Sequence, residues 1–345
     1  MQKKNNILRS FCLAFVLINL TLSQSLTVPL NFKQNGSLYF TLKYNSYGFK
    51  ECQVNLIPSI YYCSNVITQT AQEAKECGSI DLGYNAQIQG EDYISNFQIG
   101  DQQVPLIYTS PNQQSHFYGQ NELCFSLQDD RSQANALDYL YQKKFIAEKQ
   151  VFFSLNSQHS LSQPLPAGKM DIGAADISLI NQDSDLVYLK SFGLQNSFST
   201  PINRDLKFGN ILLSNNPQLA QFDIESRFHV LSIYTFPSLL QAFDSQGIEY
   251  CSENENIFLP SIEKLKDITL SLISEDNSPF VVRLNPQQYT QQLSNGQYQL
   301  LFKQQIHNAA FIFGNTIFES YYVGFNKDKK QVLIAKKSQQ NSSQF

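Results

Sequence analysis

The 345-residue chain has a net charge of -4 and only 16% charged residues, which excludes the basic stripe that neutralises nucleic-acid phosphates. Its length exceeds what a single hydrophobic core usually serves and predicts two lobes. Apolar residues make up 42% of the chain, and Asn, Gln and Ser take the place of charges on the surface, a bias that solvates a fold without specifying any chemistry.

In chain order, the first element is a basic head (Lys3, Lys4, Arg9), then an apolar run from Phe11 to Leu22, with small or polar residues at Thr21, Ser23 and Ser25. That layout predicts a secretory signal peptide over residues 1–25, its apolar part too short to span a bilayer. No later run has the length of a membrane span. The C-terminal KKSQQNSSQF is too polar for a lipid-anchor tail. The expected location is the secretory pathway, ending outside the cell or in a lysosome- or vacuole-like compartment.

Beyond the signal peptide stand Cys52, Cys63, Cys77, Cys124 and Cys251. An oxidising compartment pairs cysteines, and an odd number leaves a free thiol. None forms a Cys-x-x-Cys pair, and His116, His159, His229 and His307 lack metal-ligand spacing, so neither a metal nor a cofactor is expected. Asn35 and Asn341 open Asn-x-Ser sequons and are glycosylation candidates.

Between the ends, short runs rich in Val, Ile, Phe and Tyr recur, among them SLYFTLKY, QVNLIPSIYY, QVPLIY, QVFFSL, FHVLSIY, ITLSLIS and QVLIA. Asn, Gly, Pro and Asp separate them, and they predict strands. RSQANALDYLYQKKF and PSLLQAFDSQG carry apolar residues at helical spacing, one short helix in each half. The chain is therefore mainly β.

The segment FIFGNTIFESYYVGFNKDKKQVLIA, from Phe311 to Ala335, reads strand, Gly turn, short helical turn, aromatic strand, hairpin and strand. It resembles the last segment of pepsin-like aspartic peptidases. Other stretches match that family in order. GSLYFTLKYN (Gly36 to Asn45) is similar to its opening strand, and YNAQIQGEDYISNFQIGDQQV (Tyr84 to Val104) to its flap hairpin, with Tyr84 at the flap tyrosine. ALDYLYQKKFIAEKQVFFSL (Ala136 to Leu155) is similar to the way out of the first lobe, and PSLLQAFDSQGIEYC (Pro237 to Cys251) to the helix after the second catalytic turn.

The resemblance implies a mainly β, bilobal acid-protease fold, with two six-stranded-type β-barrel lobes, short helices and a central cleft. It assigns residues 26–165 to an N-terminal lobe, 166–185 to an inter-lobe strand and linker, 186–338 to a C-terminal lobe and 339–345 to a polar tail. GKMDIGAADISLI (Gly168 to Ile180) contains Asp171-Ile172-Gly173, which looks like a catalytic Asp-Thr/Ser-Gly turn. Gly168, Gly173 and Asp176 instead match the family's linking strand, which makes the triplet a coincidence of composition.

The family activity is aspartic endopeptidase, and it needs two carboxylates, one per lobe, sharing a proton and activating a water. Counting from the opening strand puts Ile57-Pro58-Ser59 at the first turn. Counting back from the helix at Pro237 puts Ser232-Ile233-Tyr234 at the second, where Thr235 alone keeps the pattern. Neither Ile57 nor Ser232 can do a carboxylate's proton transfer. The nearest acids, Glu51, Asp223 and Glu225, are not followed by Thr/Ser-Gly. In the first lobe Phe125 stands near the glycine of the family's apolar-Gly crossing, while Gly314 preserves the second.

These positions imply no catalytic residues and a monomeric homologue whose cleft, bordered by Tyr84, Tyr234 and Thr235, binds a peptide or protein. Two alternatives are an active endopeptidase with acids recruited from elsewhere, and a structural or surface protein with a collapsed cleft. The resemblance also pairs Cys63 with Cys77 and leaves Cys52 with Cys124 open. Cys251 then becomes the candidate free thiol, with simple burial as a small apolar residue the alternative.

Overall fold

A computed structural model describes residues 25–33, 38–45, 49–60, 65–86, 89–115, 121–125, 136–156, 167–191, 198–202, 206–214, 218–305 and 310–338. The signal peptide except Ser25, the sequon residues Asn35 and Asn341, Cys63, and His116, His159 and His307 lie outside them.

The first lobe is a sheet in which Leu38–Tyr44 and Cys52–Ser59 pair antiparallel, followed outward by Asn121–Cys124, Val66–Ile67, Gln102–Pro111, Gly90–Ile99 and Ile80–Asn85. Alternation buries one face: Tyr93, Ser95, Phe97 and Ile99 point inward while their neighbours are more exposed. The core is rich in tyrosine. Tyr44 stacks on Phe97 at 4.9 Å and Tyr93 on Tyr108 at 5.7 Å. Their hydroxyls are satisfied, Tyr44 donating to Gln69 Oε1 at 2.8 Å and Tyr108 to the Ser79 hydroxyl at 2.8 Å, which lets amphipathic rings be buried without orphaned polar groups.

The second lobe is a sheet built around Ile268–Ile273, Thr200–Ile202, Gln218–Phe222, Ala310–Phe313 and His229–Ser232. Here phenylalanine dominates, with Phe222 and Phe313 stacked at 4.9 Å and Phe311 against Phe313 at 4.7 Å. A separate four-stranded sheet carries Cys251–Glu253, Asn256–Leu259, Tyr298–Leu300 and Thr290–Gln292. The helix Thr235–Ser245 buries Leu239, Ala242 and Phe243, and Phe243 meets Phe208 at 5.2 Å. Both expected helices form, over Ala136–Gln142 and Thr235–Ser245, and a third, Ala71–Glu76, is capped by Thr70 in a capping box with Glu73.

The lobes share a run of strands drawn from both ends of the chain: Val187–Tyr188, Gln331–Lys336, Tyr321–Asn326, Gln150–Leu155, Gly168–Ile172 and Leu26–Phe32. Asp171 lies in its middle, with Phe152 on one side and Thr27 on the other. It is 0% exposed and accepts hydrogen bonds from Thr27 at 2.6 Å and Tyr322 at 2.8 Å. Gly173, at φ +99°, makes the turn that follows; a Cβ there would meet Ile146 at 2.6 Å. The triplet Asp171-Ile172-Gly173 thus belongs to a linking strand, where the carboxylate ties neighbouring strands together.

One cysteine expectation is corrected. Cys77 is bonded to Cys52, with the Cα atoms 5.7 Å apart, and not to Cys63. The strand Cys52–Ser59 and the end of helix Ala71–Glu76 converge inside the first lobe, which brings these two together across 25 residues. Cys124 is also disulfide-bonded. Cys251 is a free thiol and is exposed, so the buried alternative does not hold.

Candidate functional site between the lobes

Each lobe presents one turn to the other, and the strand registers define both. In the first lobe Cys52–Ser59 runs parallel to Asn121–Cys124, with Ser59 opposite Cys124. The Phe125 amide donates to the Ser59 carbonyl at 2.9 Å. In the second, Gln218–Phe222 runs parallel to Ala310–Phe313, with Phe222 opposite Phe313. The Asp223 amide donates to the Phe313 carbonyl at 2.8 Å, which sets Asp223 level with Gly314. The two arrangements are equivalent: a strand ending at Ser59 beside Cys124, and a strand ending at Asp223 beside Gly314. The next residue is an isoleucine in both, Ile60 at 1% and Ile224 at 0% exposed.

Gly314 is needed for close approach. A Cβ there would stand 2.6 Å from the Arg227 carbonyl oxygen and 2.7 Å from the Phe228 carbonyl carbon. Asp223 then shapes its own turn by accepting the amides of Glu225 at 2.8 Å and Ser226 at 3.2 Å, an aspartate turn that does the work of a glycine. Behind it, His229 is fully buried. The Gly314 amide donates to its Nδ1 at 3.0 Å, which fixes the proton on Nε2, beside Thr316 at 2.9 Å and the Gln288 carbonyl at 3.3 Å. Burial lowers its pKa to about 4, opposed by the hydrogen bond to the Gln288 carbonyl. It is a satisfied core residue.

Glu225 lies within electrostatic reach of the first-lobe turn, where the Ser59 side chain acts to lower the pKa of its carboxyl. The residue is exposed to solvent. Crowding by protein, then the charge of Asp223 and that of Glu122, push its carboxyl up to about 7, opposed by the Ser59 hydrogen bond. Asp223 is half-buried; burial raises its pKa, opposed by the two amides it accepts. Burial raises Glu122 as well.

The positions read from sequence shift accordingly. Ile57 sits two residues before the first turn, half-buried and paired with Glu122 in the ladder. Ser232 sits nine residues beyond Asp223, at 2% exposure inside the second lobe, paired with Gln305 and bonded to Thr235 at 2.9 Å. The registers put Ser59, not Ile57, at the end of the first-lobe strand and Asp223, not Ser232, at the end of its second-lobe counterpart. The sequence reading passed over Gln218–Phe222 because its polar Gln218 and Gln221 and lack of β-branched residues hide the strand. The more legible HVLS, directly before the helix, took its place.

The other candidates divide. Tyr84 is 62% exposed on the edge strand Ile80–Asn85, opposite Glu91. Tyr234 is 77% exposed at the start of the helix, whereas Thr235 is buried at 1% and offers no surface to a cleft. Phe125 packs against Phe40 at 6.3 Å in the first-lobe core and does not fill the groove. A 520 Å³ pocket lies elsewhere in the second lobe, lined by Phe208, Ile211, Leu265, Asp267 and Arg283 among others, and none of the turn residues borders it. Among the described residues no helix is long and apolar enough to cross a membrane, and no three His, Cys, Asp or Glu side chains gather as a metal site.

No family model matches the chain, and no curated protein matches it in sequence. Its structure is similar to the crystal structure of aspartic proteinase from Irpex lacteus, with a TM-score of 0.67 over 93% of this chain and 100% of that one, at 13% identity. The fold is pepsin-like. In that pepsin-like frame the two lobes, the shared sheet and the cleft between them are accounted for, and the chemistry of the cleft rests on the residues of this chain alone.

Proposed function

We propose that this chain is a secreted pepsin-fold protein that holds a peptide or protein segment in its inter-lobe cleft and does not carry out hydrolysis by a pair of aspartates. The observation that carries this reading is Ser59 at the first turn, level with Cys124 as Asp223 is level with Gly314. A dyad needs one ionised and one protonated carboxyl facing each other from the two lobes, and a serine supplies neither state. Tyr84, at the edge of the first lobe, and Tyr234 are the exposed rings offered to a ligand.

The same reading sends the chain through the secretory pathway as a monomer, glycosylated at Asn35 and Asn341, to the cell exterior or a lysosome- or vacuole-like compartment. Incubation with unfolded protein from pH 2 to 7 is expected to give no cleavage. Cleavage blocked by a pepstatin-type transition-state mimic would overturn the reading.

A second reading, an active endopeptidase with displaced acids, draws support from Asp223 and Glu225, two electrostatically coupled carboxyls in one turn. Cleavage abolished by both D223N and E225Q would establish it in place of the first.

A further inference from the structure

We infer that the 520 Å³ pocket of the second lobe is a binding site for a small hydroxylated carboxylate of the sugar-acid class. This goes beyond the cleft reading and does not depend on it, because none of the inter-lobe turn residues lines this pocket.

Separate pieces of chain converge to form the site. The strands Leu206–Phe208 and Ile211–Ser214 are joined by the turn Gly209-Asn210. Gly209, at φ +56°, carries no side chain, so the turn lies against the aliphatic stem of Lys266; a Cβ there would meet Lys266 Cβ and Cγ at 3.2 Å. Its amide donates to the Asp267 carbonyl at 2.9 Å, and the Tyr289 hydroxyl donates to the Lys266 carbonyl at 2.6 Å. On the far side the helix Thr235–Ser245 ends at Gln246, which borders the pocket. Lys264 Nζ donates to the Gly247 carbonyl at 2.9 Å and so covers the negative end of that helix. The walls are held in place before a ligand arrives, which lowers the cost of binding one.

The floor is apolar. Phe208 is 1% and Leu265 5% exposed, and Phe208 packs on Phe243 of the helix. Beside it stand two cations, Lys266 and Arg283, and one carboxylate, Asp267. Arg283 Nη1 lies 3.3 Å from Asp267 Oδ2, while the Arg283 side chain stays 68% exposed. Asp267 thus orients the guanidinium and leaves most of its donors open. Thr269 is in register with Arg283 on the neighbouring strand, which puts its hydroxyl on the same face of the sheet.

These groups select the ligand. Two lining cations against one carboxylate leave a single positive charge, which matches a monoanion better than a dianion such as phosphate. The planar guanidinium suits a carboxylate. Asn210, Gln246 and Thr269 supply neutral donors and acceptors for hydroxyl groups, and Asp267 accepts from one more. The small apolar floor fits the C–H face of a sugar ring and is too short for a long alkyl chain. The volume lies in the range of roughly 300–1,000 Å³ usual for small-molecule pockets.

The test uses the full chain at neutral pH, titrated in turn with D-glucuronate, D-glucose and hexanoate and followed by saturation-transfer NMR. Glucuronate should bind saturably. Glucose, which lacks the carboxylate, and hexanoate, which lacks the hydroxyls, should each bind about tenfold more weakly. R283Q should weaken glucuronate about tenfold and K266Q about fivefold, both at exposed positions whose substitution leaves the core intact. Added salt should weaken glucuronate and leave glucose unchanged. The inference is overturned if glucuronate fails to bind wild-type protein with a native circular dichroism spectrum, if it binds no better than glucose or hexanoate, or if R283Q and K266Q bind it as tightly as wild type. Peptide binding, followed separately by calorimetry, reports on the cleft reading alone.

Discussion

The first-lobe and second-lobe turns are built alike and chemically unlike. Each closes a parallel pair of strands, and each is followed by a buried isoleucine, Ile60 or Ile224. One ends on a serine beside a disulfide-bonded cysteine, the other on an aspartate beside a glycine. The fold is therefore held by the ladder and by the apolar residue after it. The residue at the tip, Ser59 at 3% exposure or the half-buried Asp223, differs in chemistry without changing the ladder that carries it.

The comparison breaks most sharply at the isoleucines. Ile60→Ala and Ile224→Ala should each cost about 4 kcal/mol, as expected for emptying a fully buried aliphatic site, measured by urea unfolding. A loss confined to one lobe would show that the two turns are not structurally equivalent.

The second test is acid. His229 stays neutral in the folded protein down to about pH 4, while the unfolded chain takes up the proton near 6.5. Stability present above pH 6.5 is lost as the pH falls toward 4, by about 3 kcal/mol from this residue, because protonation breaks the hydrogen bond from the Gly314 amide. Unfolding free energy measured from pH 7 to 4 should fall more steeply for wild type than for His229→Asn.

Gly314→Ala should cost about 2 kcal/mol, since the new Cβ meets backbone that must shift. Its first-lobe counterpart, Cys124, already carries a side chain at 1% exposure, so the two crossings differ in how tightly their backbones approach. The smallest effect belongs to the helices. Thr70 caps Ala71–Glu76 through its side chain, whereas Tyr234 makes no such bond at Thr235–Ser245. Thr70→Ala should lower the thermal midpoint by the equivalent of about 1 kcal/mol, and Tyr234→Ala should leave it unchanged.

Much of the fold was legible in the sequence because its strands use Val, Ile, Phe and Tyr at alternate positions, and because FIFG and the segment after it set the end of the chain. The site was legible only in part. Ser59 falls at the third place of Ile57-Pro58-Ser59 when the turn is counted from the opening strand, because Ile57 and Pro58 sit in a continuous strand with no local mark of its end. Asp223 carries no sequence mark of a turn, because Glu225 stands where a Thr/Ser-Gly pattern would have a glycine. Only the register opposite Phe313 reveals that Asp223 shapes its turn through its own side chain. The disulfide of Cys52 with Cys77 was likewise invisible, because it depends on where a helix ends in space.

Asp171, buried between Thr27 and Tyr322, bears on how the molecule is made. Its partners lie 144 and 151 residues away, and the shared sheet takes strands from residue 26 to residue 336. Each lobe can collapse around its own aromatic core, but the sheet joining them closes only once the strand Gln331–Lys336 is available to pair. Contacts of such long sequence separation form late and slowly, so the joining of the two lobes is the last and slowest step of folding.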